Sequence, residues 1–311
     1  MSAAPAVPAA RVALAPDGVR EWLADAIAAA GASVVEPEDA EVLVWAEPAQ
    51  ADKLDALLQG RAAGVKWVQL PWAGVEPYLG VMRSDRIWTC AKGVYAEPVA
   101  EHALTLLLAG LRGLGHYGRA ATWTGPQGTN LLGAKVVVVG GGGITESFLR
   151  LVAPFSADVT VVRRRPEPIA GATRVVDVSE LDDALDGAIG VVLALALTPD
   201  TEGIIGRKQL ERLHPRGWIV NVARGRHIVT DDLVTVLRDG TIGGAALDVT
   251  HPEPLPDDHP LWSMPNCIIT PHVGNTPEMA LPLLAARITE NVRRWQAGDE
   301  LLGRVDPDAG Y

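Results

Sequence analysis

Residues 135–152 read KVVVVGGGGITESFLRLV, and this stretch decides the fold. Lys135–Gly140 (KVVVVG) is a short, valine-rich apolar run of the kind that forms a strand buried on both faces. Gly140-Gly141-Gly142-Gly143-Ile144-Thr145 follows it, and Glu146–Leu151 takes up a helical pattern. In a strand, glycine turn and helix of this kind, the first glycine permits a tight turn and the second lets the backbone approach a pyrophosphate. The helix N-terminus adds N–H groups and partial positive charge. Gly140, Gly142, Gly143 and Ile144 are therefore candidate cofactor-binding residues, with a glycine-rich connection in some other α/β protein as the plain alternative. Thr145 holds the third position, where close helix–strand packing wants no side chain. The helix is expected to sit further out there, and Glu146 brings a like charge toward phosphate.

A dinucleotide site of this type usually carries an acidic residue about 20 positions further on, to accept hydrogen bonds from the ribose 2′-hydroxyl. Here the second strand, Asp158–Arg163, runs into Arg163-Arg164-Arg165. Guanidinium groups bind a 2′-phosphate through charge-assisted hydrogen bonds, whereas a carboxylate would repel it. Arg163 and Arg164 thus favour NADP over NAD, against the reading of a solvated basic turn before Pro166.

Outward from this unit the strand pattern repeats at Gly190–Leu195, Trp218–Ala223, Gly244–Val249 and Cys267–Pro271, giving six strands with intervening helices. Toward the N-terminus, Arg11–Pro16, Val42–Ala46, Trp67–Leu70 and Ile87–Thr89 read as strands, with helices at Val19–Ala30 and Ala51–Gln59. The class is α/β, with a doubly wound domain and a smaller βαβ-type layer. A long helical pattern, broken by Gly, is expected from about Ala96 to Leu114, and the turn-rich Thr122–Asn130 reads as a boundary. A C-terminal helix over about Pro277–Ala297 is expected to return to the first layer. The domains expected are residues 1–98 with 278–311, discontinuous in sequence, and 99–277.

The chain has 311 residues, enough for two ordinary domains, and 27 basic against 38 acidic residues leave a formal net charge of −11. That balance argues against nucleic acid as a partner. No stretch reaches the roughly 18–20 apolar residues of a membrane span. Two cysteines, Cys90 and Cys267, cannot build a disulfide framework and have no zinc spacing. With no basic and apolar leader pattern at the N-terminus, a cytoplasmic location is expected. The histidines at 102, 116, 214, 227, 251 and 259 lack the HxxxH spacing of a metal site, so no metal is proposed.

Three further segments carry chemistry. Asn221-Val222-Ala223-Arg224-Gly225 follows one strand, Leu247-Asp248-Val249 leads to Pro252-Glu253-Pro254, and Thr270-Pro271-His272-Val273-Gly274 follows the last. Each functional side chain lies at or just after the C-terminal end of a strand, the edge where open α/β sheets bind ligands. Taken singly, His272 reads equally as a structural histidine, Glu253 as a loop acid and Arg224 as a surface ion-pair member. Together with Leu197-Thr198-Pro199-Asp200-Thr201, the ordered set resembles the D-isomer-specific 2-hydroxyacid dehydrogenase family over roughly residues 65–300.

The resemblance implies a Rossmann-type cofactor domain and a smaller flavodoxin-like substrate domain, with a small 2-oxo acid such as glyoxylate or hydroxypyruvate reduced to the D-2-hydroxy acid. His272 is then the general acid/base, Glu253 its orienting carboxylate and Arg224 the clamp on the substrate carboxylate. Thr198, Pro199, Ala223 and Asp248 fall on the cofactor side with His272. Asp248 matches a contact to the nicotinamide carboxamide, with capping of nearby backbone as its alternative. Trp72, Ala73 and Gly74 resemble the substrate-binding loop; Trp72 either walls the substrate pocket or packs under that loop. Cys90 and Tyr95 stand where many relatives have Asn. The resemblance also implies a homodimer through the helix after Ala96. A dinucleotide-binding regulator, like the family's corepressor branch, is the alternative function.

Overall fold

The computed structural model describes residues 9–18, 20, 22–47 and 50–307. Val19 and Glu21, in the first expected helix, lie outside the described residues, as do residues 1–8 and 308–311 of the expected discontinuous domain. The chain divides into two compact units, Met1–Tyr95 with Pro277–Tyr311, and Ala96–Thr276.

The first unit holds β1 (Arg11–Ala15), α1 (Leu23–Ala29), β2 (Ser33–Val34), β3 (Val42–Trp45), α2 (Ala51–Gln59), β4 (Trp67–Gln69) and β5 (Ile87–Thr89). All pairs are parallel in the order β2-β1-β3-β4-β5, the flavodoxin-like arrangement. Four strands were expected and five form among the described residues; β2 is a two-residue edge strand, too short to show a pattern in sequence. Trp45, Trp67 and Trp88 are fully buried in its core.

The C-terminal helix, Pro277–Ala297, is tied into this unit by buried polar groups. Asn291 donates from Nδ2 to Gln69 Oε1 at 3.0 Å and to the Leu302 carbonyl at 2.9 Å, and its Oδ1 accepts the Leu302 N–H at 2.8 Å. Gln69 Oε1 also accepts from Thr89 Oγ1 at 2.8 Å, which in turn accepts the Trp67 indole N–H at 2.7 Å. Gln69, Thr89 and Asn291 are each 0% exposed, so this network joins β4, β5 and the helix with no water to replace a lost partner.

The second unit contains α3 (Ala96–Leu111), α4 (Leu114–Tyr117), β6 (Lys135–Val139), α5 (Gly143–Val152), β7 (Asp158–Val162), β8 (Arg174–Val176), α6 (Leu181–Leu185), β9 (Gly190–Leu193), α7 (Arg207–Leu210), β10 (Trp218–Asn221), α8 (Thr230–Arg238), β11 (Gly244–Leu247) and β12 (Cys267–Ile269). The sheet is parallel, in the order β12-β11-β10-β9-β6-β7-β8. Seven strands replace the six expected, because the three-residue β8 sits among turns. The expected helix from Ala96 stops at Leu111: Gly113, at φ +66°, breaks it before α4. Thr122–Asn130 lies inside this unit and marks no boundary between units.

The valines of β6 alternate between two cores, as a strand buried on both faces requires. Val137 and Val139 join Leu185, Leu210 and Leu237 on one side, while Val136 and Val138 pack with Leu107, Phe148 and Leu149 on the other. Strand order reverses between β6 and β9, which places the ligand crevice of such a sheet beyond the ends of those two strands. No helix among the described residues is long and apolar enough to cross a membrane.

Candidate active site

The glycine turn after β6 stands at that crevice. A Cβ at Gly140, where φ is +114°, would lie 2.2 Å from the Ala194 carbonyl oxygen just beyond β9, so only glycine fits. At Gly142 the same construction meets nothing within 4 Å, which leaves the backbone open to a ligand. Helix α5 begins at Gly143, and the first N–H groups of a helix have no partner within it. Gly143 and Ile144 are both half-buried on this first turn. Thr145 does not act as a simple spacer. Its side chain is buried and its Oγ1 donates to the Gly140 carbonyl at 2.9 Å, closing the turn from within. Glu146 is exposed on the outer face.

Arg163 lies along this turn, its side chain close enough that a Cβ at Gly141 would come within 2.7 Å of Arg163 Cδ. Arg164 and Arg165 are exposed beside it. Thr198 and Pro199 follow β9 on a turn held by Thr201, whose Oγ1 accepts the Thr198 N–H at 2.8 Å.

Beyond β10 the chain is pinned from two sides. Asn221, buried at the strand end, donates from Nδ2 to the Arg224 carbonyl at 2.9 Å, and its Oδ1 accepts the Ala223 N–H at 3.0 Å. His227 Nδ1 accepts the Arg224 N–H at 3.2 Å, and its Nε2 lies 3.3 Å from the Ala196 carbonyl. Gly225 is a close approach of two backbones: a Cβ there would fall 1.9 Å from the Thr250 carbonyl oxygen. The half-buried Arg224 therefore leaves a rigid turn packed on the segment that leads to Glu253. Neither Asn221 nor His227 was singled out in the sequence, since their roles arise from contacts that no spacing announces.

His272 Nδ1 lies 2.7 Å from Glu253 Oε1. The histidine adopts φ +54°, a left-handed conformation uncommon for a residue with a Cβ. Its segment is held by Asp248, which is 4% exposed. Asp248 Oδ1 accepts from Thr270 Oγ1 at 2.6 Å and from the Val273 N–H at 2.9 Å, and its Oδ2 accepts the Gly274 N–H at 3.0 Å. His102 Nε2, from α3, is 3.2 Å from the same carboxylate. The geometry is that of a carboxylate capping the backbone around His272.

Charge follows from these contacts. The hydrogen bond that His272 donates to Glu253 raises the pKa of His272 above its ordinary value against partial burial, and the same bond lowers that of Glu253. The Arg224 charge favours the carboxylate of Glu253 and opposes the imidazolium of His272, so all three groups act on one another. Burial pushes the Asp248 carboxyl up, but His102, Thr270 and the two backbone N–H groups outweigh it and hold the group at about 2.

In the other unit, Pro71–Val75 follows β4. Ala73 is exposed, with Trp72 and Gly74 half-buried. The Tyr95 hydroxyl donates to the Pro71 carbonyl at 2.9 Å, and the Ala91 N–H donates to the Trp72 carbonyl at 2.9 Å. Trp72 leans against the Tyr95 ring with centroids 5.8 Å apart.

The chain belongs to the D-isomer specific 2-hydroxyacid dehydrogenase family: residues 104–274 match that family's NAD binding domain. It is 37% identical over 255 residues to an uncharacterized protein of Corynebacterium melassecola, spanning 79% of this chain and 84% of that one. Among solved structures it resembles a D-isomer specific 2-hydroxyacid dehydrogenase from Xanthobacter autotrophicus in complex with NADPH and MES. The TM-score is 0.84 and the identity 26%, over 98% of this chain and 100% of that chain. It also resembles an NADPH-dependent glyoxylate/hydroxypyruvate reductase from Sinorhizobium meliloti in complex with NADP and sulfate, with TM-score 0.82 and 26% identity over 97% and 100% of the two chains.

Proposed function

We propose that this protein reduces a small 2-oxo acid to the corresponding D-2-hydroxy acid, using NADPH in preference to NADH. The observation that carries the reading is the His272–Glu253 pair at 2.7 Å, under the charge of Arg224, at the C-terminal edge of the second sheet. The neighbours from Xanthobacter autotrophicus and Sinorhizobium meliloti, bound to NADPH and NADP, support the choice of cofactor.

The residues present fit a dinucleotide. Gly142 leaves room for the pyrophosphate, the first turn of α5 supplies N–H donors, and Arg163 and Arg164 stand where a 2′-phosphate would need cations. When bound, the reduced nicotinamide supplies a hydride to the carbonyl carbon. His272, kept protonated by Glu253 to higher pH than an isolated imidazole, gives its proton to the carbonyl oxygen, and in the reverse direction takes it back. Arg224 clamps the substrate carboxylate through its donor fork. In the other unit, the loop Trp72-Ala73-Gly74 offers backbone N–H donors to a substrate carboxylate. Asp248 keeps the His272 segment in its left-handed conformation.

On this reading the unit Ala96–Thr276 binds the dinucleotide and the other unit binds substrate. The regulator alternative loses one of its two sequence arguments, because Thr145 closes the glycine turn instead of loosening it. A homodimer working in the cytoplasm completes the proposal; the buried free thiols Cys90 and Cys267 suit a reducing compartment. A panel of 2-oxo acids run with NADPH and NADH tests the assignment. Turnover should require a 2-oxo acid and fall by orders of magnitude in His272→Ala with cofactor binding retained. Near-normal turnover in that variant would remove His272 from its role.

A further inference from the structure

We propose that Arg20 selects the substrate: it is a specificity-determining cation that favours 2-oxo acids carrying a second carboxylate. This rests on the reading above, in which the Trp72–Gly74 loop receives the first carboxylate.

Three observations in the first unit converge on Arg20. Its place in the topology comes first. Arg20 follows β1, Trp72 follows β4, and the sheet runs β2-β1-β3-β4-β5. In this strand order the ligand crevice opens at the switch point between β1 and β3, beyond the strand ends, so the β1 loop is one wall of it. The second observation is the backbone. Arg20 is held at φ +53°, a conformation that an unbranched L-residue rarely adopts and that clusters at ligand clamps.

The third is how the charge is used. The Arg20 guanidinium carbon lies over the Trp72 ring, 4.6 Å from its centroid, on the loop that the proposed reading gives to a carboxylate. The guanidinium carries five N–H donors, and a cation–π contact does not consume them as an ion pair would, so donors remain for an anion. Among the described residues Arg20 makes no ion pair with a carboxylate. The neighbouring hydroxyls do not compete for the role, because Tyr95 donates to the Pro71 carbonyl and Tyr78 to the Glu47 carbonyl. A substrate as small as glyoxylate has nothing to offer this cation. A four- or five-carbon 2-oxo diacid has a second carboxylate to set against it, and bidentate pairing with arginine is the geometry that carboxylates satisfy best.

The test compares kcat/KM for a 2-oxo diacid and for glyoxylate in the full-length protein with NADPH, in wild type, Arg20→Gln and Arg20→Lys. The diacid should be the better substrate of the wild type. Arg20→Gln should lower the diacid-to-glyoxylate ratio at least tenfold, mainly through KM, and Arg20→Lys should restore part of it. Calorimetric binding of D-malate against glycolate to the NADP-loaded protein gives a second readout that does not depend on turnover, with Arg20→Gln weakening D-malate alone. A ratio unchanged within twofold in Arg20→Gln, or a wild type that reduces glyoxylate but not the diacid, overturns the role of Arg20. Failure to turn over any 2-oxo acid would instead overturn the reductase reading, and selective loss of D-malate binding would still support the cation site.

Discussion

Replacing Asp248 by Asn tests whether the cap around His272 is as strong as its geometry implies. The carboxylate is almost wholly buried and engages Thr270 Oγ1, two backbone N–H groups and His102. Its pKa of about 2 lies roughly two units below that of a free aspartate, a stabilisation of about 2.5 kcal/mol at neutral pH. The Asn amide turns an N–H₂ toward groups that are themselves donors, leaving one or more buried donors unmatched at about 1–3 kcal/mol each. We expect Asp248→Asn to destabilise the protein by about 2–4 kcal/mol, measured as a fall in urea midpoint at pH 7 with unchanged m-value. Because the folded pKa is depressed, the ionic part is fully present above the unfolded value near 4 and is lost as pH falls through about 2. Roughly half of it should be gone by pH 3. A difference below about 1 kcal/mol at pH 7, or one that widens toward acid, would refute the cap.

Three further outcomes follow from the same geometry. Glu253→Gln should lower the pKa of His272, so the high-pH limb of the reduction rate moves to lower pH; a profile that stays in place would break the coupling. Arg163→Ala with Arg164→Ala should weaken NADPH binding while leaving NADH within about threefold, read by fluorescence titration; equal losses for both would point to a general defect of the glycine turn. Gly225→Ala forces a Cβ into the Thr250 carbonyl, so the Arg224 turn must move. It should cost upward of about 2 kcal/mol and most of the turnover, and a melting temperature within 1–2 °C of wild type would refute the close approach.

How much of this was legible in the sequence depends on where each signal resides. β6 and most other strands announced themselves through apolar runs, whereas β2 is a two-residue edge strand and β8 is three residues long, set among turns and beginning at the exposed Arg174. The pattern from Ala96 to Leu114 was already broken by glycine in the sequence, and Gly113 sets the break after Leu111 through its backbone conformation. Arg224, Glu253 and His272 could be nominated because they follow strand ends in ordered segments that resemble the family's; taken singly, none stood apart from a structural residue. The groups that hold them, Asn221, His227, Thr270 and His102, are joined by hydrogen bonds across as many as 168 positions, and nothing local distinguishes them from ordinary polar residues. Thr145 misled for a related reason: its hydroxyl finds the Gly140 carbonyl only once the turn has closed.

The Asn291 network has a consequence for biogenesis. Ala96–Thr276 is continuous in sequence and can complete itself as it leaves the ribosome, but the sheet that begins at Arg11 needs a helix translated nearly 300 residues later. At about 5–20 residues per second, the N-terminal strands wait on the order of 15–60 s for Asn291, with Gln69 and Thr89 lacking the partner that seals them. The part of the chain made first is thus the later to mature, and that interval is when its tryptophan-rich layer is most open to chaperones and to aggregation.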